Sequence, residues 1–344
     1  MEDAPVWFIS LACLGAVYVA ALCARPLAYL ALCLRRPKDL LRCYGSWAVV
    51  TGPTSGLGRS MAMELARRGL NLVLLDLDAA NLQETSAAIK ALHAVKVKTV
   101  VLDLSLVATP QGDEAIRRLR EAMEGLDVGL LVNNAAVNTP GAVYLHEADI
   151  ERFVRMIRIN LWGLTEVTAA VLPRMLERGR GAIVNVGSGS TVAVPSFPLY
   201  TVYSSTKKYV AQFSRSLYVE YKSKGIDVQY QVPFYVHTRM LSSAVKAKLR
   251  PWFVATADEY TRTAARWIGN GPLCVPGAAQ KLQWCLTGFV PDWAHDWYRI
   301  RLHLQHRAVT RAGRRAAVTP GDGSSPRGQV ITVGNSGGPK VMAG

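Results

Sequence analysis

The sequence predicts an α/β fold, a doubly wound parallel sheet of the Rossmann type behind an N-terminal transmembrane helix. Three observations predict it. Short β-branched or leucine-rich runs alternate with helix-periodic stretches from about Gly45 to about Asn270, a glycine-rich turn joins the first such run to a helix, and 19 residues without a charge lie near the start of the chain. The 344 residues are 50% hydrophobic and 19% charged, a composition that excludes disordered and collagen-like classes.

The elements follow in order. Val6 to Ala24 carries no charge, and at about 1.5 Å per residue it spans roughly the 30 Å hydrocarbon layer as a helix. Glu2 and Asp3 precede it, while Arg25, Arg35, Arg36 and Lys38 follow. A cleaved signal peptide carries a basic leader and a shorter apolar core, so this pattern reads as an uncleaved anchor with its N-terminus lumenal and the rest cytosolic. Leu27 to Leu34 is too short to return across the bilayer; it extends the anchor or lies at the interface. Strands are expected at Trp47–Thr51, Leu70–Leu75, Thr99–Leu102, Leu130–Asn133, Ala182–Val186 and Val228–Val232. Between them, Met61, Ala62, Leu65 and Ala66, and later Leu164, Val167, Val171 and Met175, repeat with the helical period. From Arg311 onward the chain is rich in Gly, Ser, Pro and Arg without periodicity and reads as a disordered, solvated tail. The division is an anchor over 1–40, a catalytic domain over 41–305 and a basic tail over 306–344.

Charge and cysteines narrow the function classes. The net charge is +15, but from Arg299 onward there are eight basic residues against one acidic, so nearly half the excess is terminal and a nucleic-acid footprint is not implied. The six cysteines form no CxxC pair and no cluster at metal spacing, which argues against both a disulfide scaffold and a metal site.

After the first strand comes Gly52-Pro53-Thr54-Ser55-Gly56-Leu57-Gly58, opening directly into a helix. Strand, glycine turn and helix N-terminus together form the setting that holds the pyrophosphate of a dinucleotide, with Thr54, Ser55 and Leu57 in the cradle beside the glycines. At the end of the second strand, Asp76 is placed to accept from ribose hydroxyls and to repel a 2′-phosphate. Neither Ser55 nor Leu77 supplies a cation for such a phosphate, and Arg59 is the substitute within reach. These residues lean to NAD(H); a turn cap is the plain alternative for Asp76. Asp103, after the third strand, is similarly placed to meet the adenine edge.

Tyr203 and Lys207, four apart in an amphipathic stretch, share one helix face. An ammonium near a phenol is expected to lower the phenol pKa from about 10 and make it a proton donor or acceptor near neutrality. NVGSGS offers Ser188 and Ser190 as a hydroxyl partner at the end of the fifth strand.

These residues resemble the short-chain dehydrogenase/reductase superfamily over roughly residues 45 to 270. The glycine turn, the NNAA of Asn133 to Ala136, Asn160 in MIRINLWG, the strand-end serine and YSSTK carry the likeness. Membrane-anchored very-long-chain 3-oxoacyl-CoA reductases are most similar, through RRPKDLLRCYGSWAVVTGPTSGLG, PSFPLYTVYSSTK and IDVQYQVPFYVHTRM. The resemblance implies Tyr203 as general acid/base, Lys207 on the nicotinamide ribose, Ser188 on the substrate carbonyl and Asn160 in a water-linked proton relay. It also implies cofactor contacts from Asn133 and from the Pro233 to Thr238 segment. Ser190 satisfies the family's usual spacing to the tyrosine; Ser188 aligns with the strand end and is preferred. The resemblance implies NADPH where Asp76 leans to NADH, a lipid-like substrate, the endoplasmic reticulum membrane and a homodimer. Leu282 to Val290, with Trp284, Trp293 and Trp297, is expected to form an acyl-binding lid, an interfacial helix or ordinary core.

The function expected is reduction of a 3-oxoacyl-CoA to a 3-hydroxyacyl-CoA in fatty-acid elongation. An NAD-linked hydroxysteroid dehydrogenase and a catalytically silent membrane scaffold of the same fold are the alternatives.

Overall fold

The computed structural model describes residues 5–138, 141–238 and 254–318. Seven parallel strands run in the order β3-β2-β1-β4-β5-β6-β9: β1 (Trp47–Thr51), β2 (Asn71–Asp76), β3 (Val97–Val101), β4 (Val128–Asn133), β5 (Gly181–Val186), β6 (Ile226–Gln231) and β9 (Leu273–Cys274). A separate pair, β7 (Val236–His237) and β8 (Ala255–Thr256), lies beyond β6. The order reverses at β1, so β2 and β3 lie on one side of it and β4, β5 and β6 on the other. The crevice above the strand C-termini at this reversal is where such sheets bind ligands.

Period-two alternation makes the two layers. Ala48, Val50, Leu72, Leu74, Leu130, Val132 and Val184 pack on one face beneath α3 (Gly56–Arg67), α4 (Ala79–Leu92) and α10 (Ala257–Trp267). Val49, Val73, Leu75, Leu131, Ile183 and Val228 pack on the other beneath α5 (Pro110–Ala122), α7 (Leu164–Glu177) and α9 (Thr201–Tyr221). The six expected strands are all present. Three begin two residues earlier than the hydrophobic runs, because Val97, Val128 and Ile226 are each followed by a residue that is not a β-branched or leucine signal (Lys98, Gly129, Asp227). The seventh strand was not expected: two residues are too short to carry periodicity, and pairing with Tyr230 and Gln231 creates it.

The N-terminal segment expected to anchor the chain is one helix, α1 (Val6–Leu34), so the second apolar stretch continues it. Within Val6–Ala24 nothing is buried against the protein, which removes the reading of a buried soluble helix. Short α2 (Leu40–Cys43), capped by Asp39, leads from it into the domain.

At the other end, α11 (Ala278–Thr287) and α12 (Asp292–Val318) differ from expectation. Helix α12 crosses the boundary set at 305 and runs through Arg311, where a disordered tail was expected. Along this stretch Arg307 (2.6 Å) and Arg311 (3.3 Å) hold Glu147. Residues 319–344, the rest of the expected tail, lie outside the described residues.

Candidate active site

Above the C-terminal ends of the strands lies a cavity of about 660 Å³, within the range of small-molecule sites. Its floor begins at the glycine turn. Gly56 takes φ +52°, a left-handed conformation that L side chains rarely adopt. Gly58 serves differently: a Cβ there would lie 2.0 Å from the Gly52 carbonyl oxygen and 2.3 Å from Asn134 Nδ2, so only glycine lets α3 start this close to β1. Ser55 precedes the helix but makes no side-chain cap, leaving the α3 N-terminus to face the cavity. Gly52, Thr54, Ser55, Gly56 and Leu57 line the cavity, and Gly58 supports it from behind. This cradle, open backbone at a helix start with no side chain to fill it, fits a dinucleotide pyrophosphate.

Asp76 and Asp103 line the same end. Asp76 accepts the Thr54 hydroxyl at 2.8 Å, tying the glycine turn to β2, while the cap of α4 is Asp78. Asp103 accepts the Ser105 backbone and hydroxyl at 2.8 and 2.7 Å. Arg59, the substitute cation, is 3.4 Å from Glu84 instead.

The reactive pair converges as helical spacing predicts. Tyr203 and Lys207 project from α9 into the cavity wall, both under 10% exposed. Phe153 and Met156 of α6 (Ile150–Ile157) pack against Tyr203. Lys207 Nζ donates to the Val186 carbonyl at 3.0 Å, the last residue of β5. Ser190 Oγ donates to Ser188 Oγ at 2.9 Å, and Ser188 is the hydroxyl that acts on the Tyr203 phenol to lower its pKa. Ser188 is therefore the hydroxyl beside the tyrosine, and Ser190 stands behind it.

One electrostatic expectation is corrected. Burial raises the Tyr203 pKa above its ordinary value, and the Ser188 hydrogen bond offsets only part of this. Burial of the phenol prevails over the lowering expected from Lys207, whose ammonium bonds the Val186 carbonyl and which burial itself pushes down to about 8. At neutral pH the pair is a neutral phenol beside a cationic lysine.

Two other predicted residues turn away from the cavity. The Asn133 side chain points into the interior, donating to Thr168 (2.9 Å) and Asn185 (2.8 Å). Its neighbour Asn134 lines the cavity and donates to the Thr51 and Gly52 carbonyls at 3.1 Å. Successive residues leaving a strand face opposite ways, and the motif alone does not say which is which. Asn160 sits in a π-helical turn, Arg158–Gly163, holding both backbone groups of Val137 (2.8 and 2.9 Å) and the Thr206 hydroxyl (3.0 Å). It braces the cavity wall against α9 and does not line it. Pro233 and Thr238 line the cavity, with Phe234 and Tyr235 between them.

Sequence reasoning missed Tyr230, Arg155, Phe197 and Arg299. Tyr230 lies under the site: its hydroxyl accepts the Ser188 N–H at 3.2 Å and donates to the Lys207 carbonyl at 3.2 Å, joining the serine strand to the tyrosine helix. Arg155, Phe197 and Arg299 line the cavity from elements far apart in the chain.

The chain matches the short chain dehydrogenase family over residues 46–249. It belongs to that family. A very-long-chain 3-oxoacyl-CoA reductase-like protein of Arabidopsis thaliana is 39% identical over 90% of this chain and 98% of its own length. A human protein named inactive hydroxysteroid dehydrogenase-like protein 1 is 34% identical over 75% of this chain and 76% of its own. Among solved structures, a short-chain dehydrogenase from Sphingobium yanoikuyae in complex with NADPH is similar at 27% identity and TM-score 0.58, over 81% of this chain and 98% of that one. The chain is thus an NAD(P)-dependent oxidoreductase by family, and the residues of its cavity fit that cofactor.

Proposed function

We propose that this protein is a membrane-anchored reductase that converts a 3-oxoacyl-CoA to a 3-hydroxyacyl-CoA in the elongation of very long fatty acids. The observation that carries the chemistry is the neutral, buried Tyr203 phenol beside Ser188 in the cavity wall. A bound nicotinamide supplies the hydride to the ketone carbon. Tyr203 gives its proton to the ketone oxygen, and a phenol kept neutral by burial is already in the form this step needs. Ser188 donates to the same oxygen as negative charge develops there. Lys207 binds the nicotinamide ribose from its seat on Val186. Asn160 and Tyr230 fix the wall and the strand end that present these groups. Gly52, Thr54, Ser55, Gly56 and Leu57 hold the pyrophosphate, Asp103 meets the adenine, and Asp76 takes the adenosine ribose. With Arg59 turned to Glu84, none of the cations among the described residues lining the adenosine end serves a 2′-phosphate, so NADH is the preferred reductant.

The likeness to the reductase-like plant protein supports the substrate, and the membrane helix suits one whose chain stays in the bilayer. Basic residues after α1 support a cytosolic domain on the endoplasmic reticulum. Exposed Leu282 and Leu286 on α11, Phe289 in the turn after it, and Trp293 and Trp297 on α12 supply a second lipid contact. The hydroxysteroid reading has one observation in its favour: Asp76 suits NAD⁺ and the oxidative direction. A silent scaffold has the inactive human relative in its favour, against an assembled Tyr203, Ser188 and Lys207.

Purified full-length protein is expected to oxidise NADH faster than NADPH with a long-chain 3-oxoacyl-CoA and to leave a 17-ketosteroid untouched. Cells lacking it are expected to accumulate 3-oxoacyl species. Steroid turnover alone, or binding of cofactor without turnover of either substrate, would replace the reading with one of its rivals.

A further inference from the structure

The cavity wall carries five charged side chains, and they are sorted by sign. Asp76 and Asp103 lie at the end formed by β2 and β3. Arg155, Lys207 and Arg299 lie on the side of the reactive tyrosine. Arg155 stands on α6 between Phe153 and Met156, the two residues packed on Tyr203. Arg299 comes from α12 and sets its guanidinium over Phe197, 5.7 Å from the ring centroid, in the loop just before α9. That loop is fixed to α12 by His303, which takes the Pro198 carbonyl at 2.6 Å.

Lys207 is occupied, but neither arginine makes an ion pair among the described residues, and Arg299 Nε is sealed from solvent with no hydrogen-bond partner. Elsewhere on the same helix Arg307 and Arg311 both hold Glu147. A guanidinium in a cavity wall with an orphaned donor is set for an anion, and its planar fork suits phosphate. The dinucleotide does not supply that anion: its pyrophosphate belongs at the glycine turn, and the adenosine end meets Asp76.

We propose that Arg155 and Arg299 form a subsite for the phosphate groups of the substrate's coenzyme A moiety. The proposal rests on the acyl-CoA reading and extends it. A steroid has no group for these arginines, whereas a coenzyme A thioester brings several phosphate charges to the tyrosine side of the cavity. The subsite thereby selects the carrier, leaving the acyl chain free to vary in length.

The test compares wild type with Arg155→Gln, Arg299→Gln and the double variant in detergent, all as full-length holoenzyme. Arg155 is exposed, so its variant tests the proposal even if Arg299→Gln folds poorly. Each change is expected to raise KM for a 3-oxoacyl-CoA about tenfold, with kcat little altered. KM for the matching N-acetylcysteamine thioester, which has no phosphate, stays as in wild type, and so does KM for NADH. Rising ionic strength raises the wild-type KM for the CoA thioester alone. Equal losses with both thioesters, or none with either, overturn the proposal. A shifted KM for NADH assigns the arginines to the dinucleotide and also overturns it. If neither thioester is reduced by wild type, calorimetric binding of coenzyme A to the NADH complex decides separately. Tight binding that weakens in the variants upholds the subsite while the reaction fails, and absence of binding ends both.

Discussion

Four carboxylates flank the parallel strands, and they keep different company at the two ends of the sheet. Asp127 and Asp227 lie at the N-terminal ends of β4 and β6. Asp127 is held by Arg178 and by Arg180 at 3.2 Å, with the Ser46 N–H at 3.1 Å. Asp227 takes Lys38 at 2.8 Å, the Tyr44 hydroxyl at 2.6 Å and Lys222. Among the described residues, Asp76 and Asp103, at the C-terminal ends of β2 and β3, meet only hydroxyls and backbone N–H groups. The arginines across the same cavity are equally unmatched. Charge is neutralised where the strands begin and left open where they end, so one end of the sheet holds the chain together and the other is left to meet ligands.

The largest expected effect at the open end follows from removing the proposed proton donor. Tyr203→Phe is expected to lower kcat about 10³-fold with a 3-oxoacyl-CoA, leaving dinucleotide affinity by fluorescence titration and thermal unfolding near wild type. A loss below about tenfold would remove the phenol from the chemistry. The next effect is on cofactor choice. Asp76→Ala with Leu77→Arg replaces a repelling carboxylate by a phosphate-binding guanidinium, and the ratio of kcat/KM for NADPH to that for NADH is expected to rise about 100-fold. An unchanged ratio would mean that Asp76 serves only to tie Thr54 to β2.

How far the sequence reveals this contrast depends on the range of each interaction. The open end was largely legible, because a glycine turn, a strand-end carboxylate and a Tyr–Lys pair four apart are local patterns whose geometry follows from one strand or one helix. Burial is not local, so the direction of the Tyr203 shift was misread: spacing places Lys207 near the phenol but says nothing of Val186, which takes its ammonium. Asn133 and Asn134 were indistinguishable because their difference is one of facing at a strand end. Arg155 and Arg299, 144 positions apart, line one cavity only because the chain's tertiary packing brings α6 and α12 to it. The closed end left no trace in the sequence, since Lys38 and Asp227 are 189 residues apart and nothing near either one announces the other.

That closed end gives the smallest and most discriminating prediction. Burial raises the Asp227 pKa, but hydrogen bonds from Lys222, Lys38 and Tyr44 outweigh it and hold the carboxyl below its ordinary value. A depressed carboxylate contributes stability that is complete above its unfolded pKa of about 4 and is lost as pH falls through the lower folded value. Asp227→Asn keeps the shape and an acceptor for Tyr44 but removes the charge. It is expected to cost about 2 kcal/mol in urea unfolding at pH 7, less than a fully sealed ion pair would, because both lysines still reach solvent. The difference from wild type stays constant from pH 8 to 5 and shrinks below about pH 4 as wild type loses its own charge. Asp76→Asn, tested beside it, has no cation to release and is expected to change stability by less than about 0.5 kcal/mol. Equal costs for the two variants would mean that the open and closed ends of the sheet handle charge alike; unequal costs in the stated order locate the electrostatic stability of the domain at the strand beginnings, where the link from the N-terminal helix is bound.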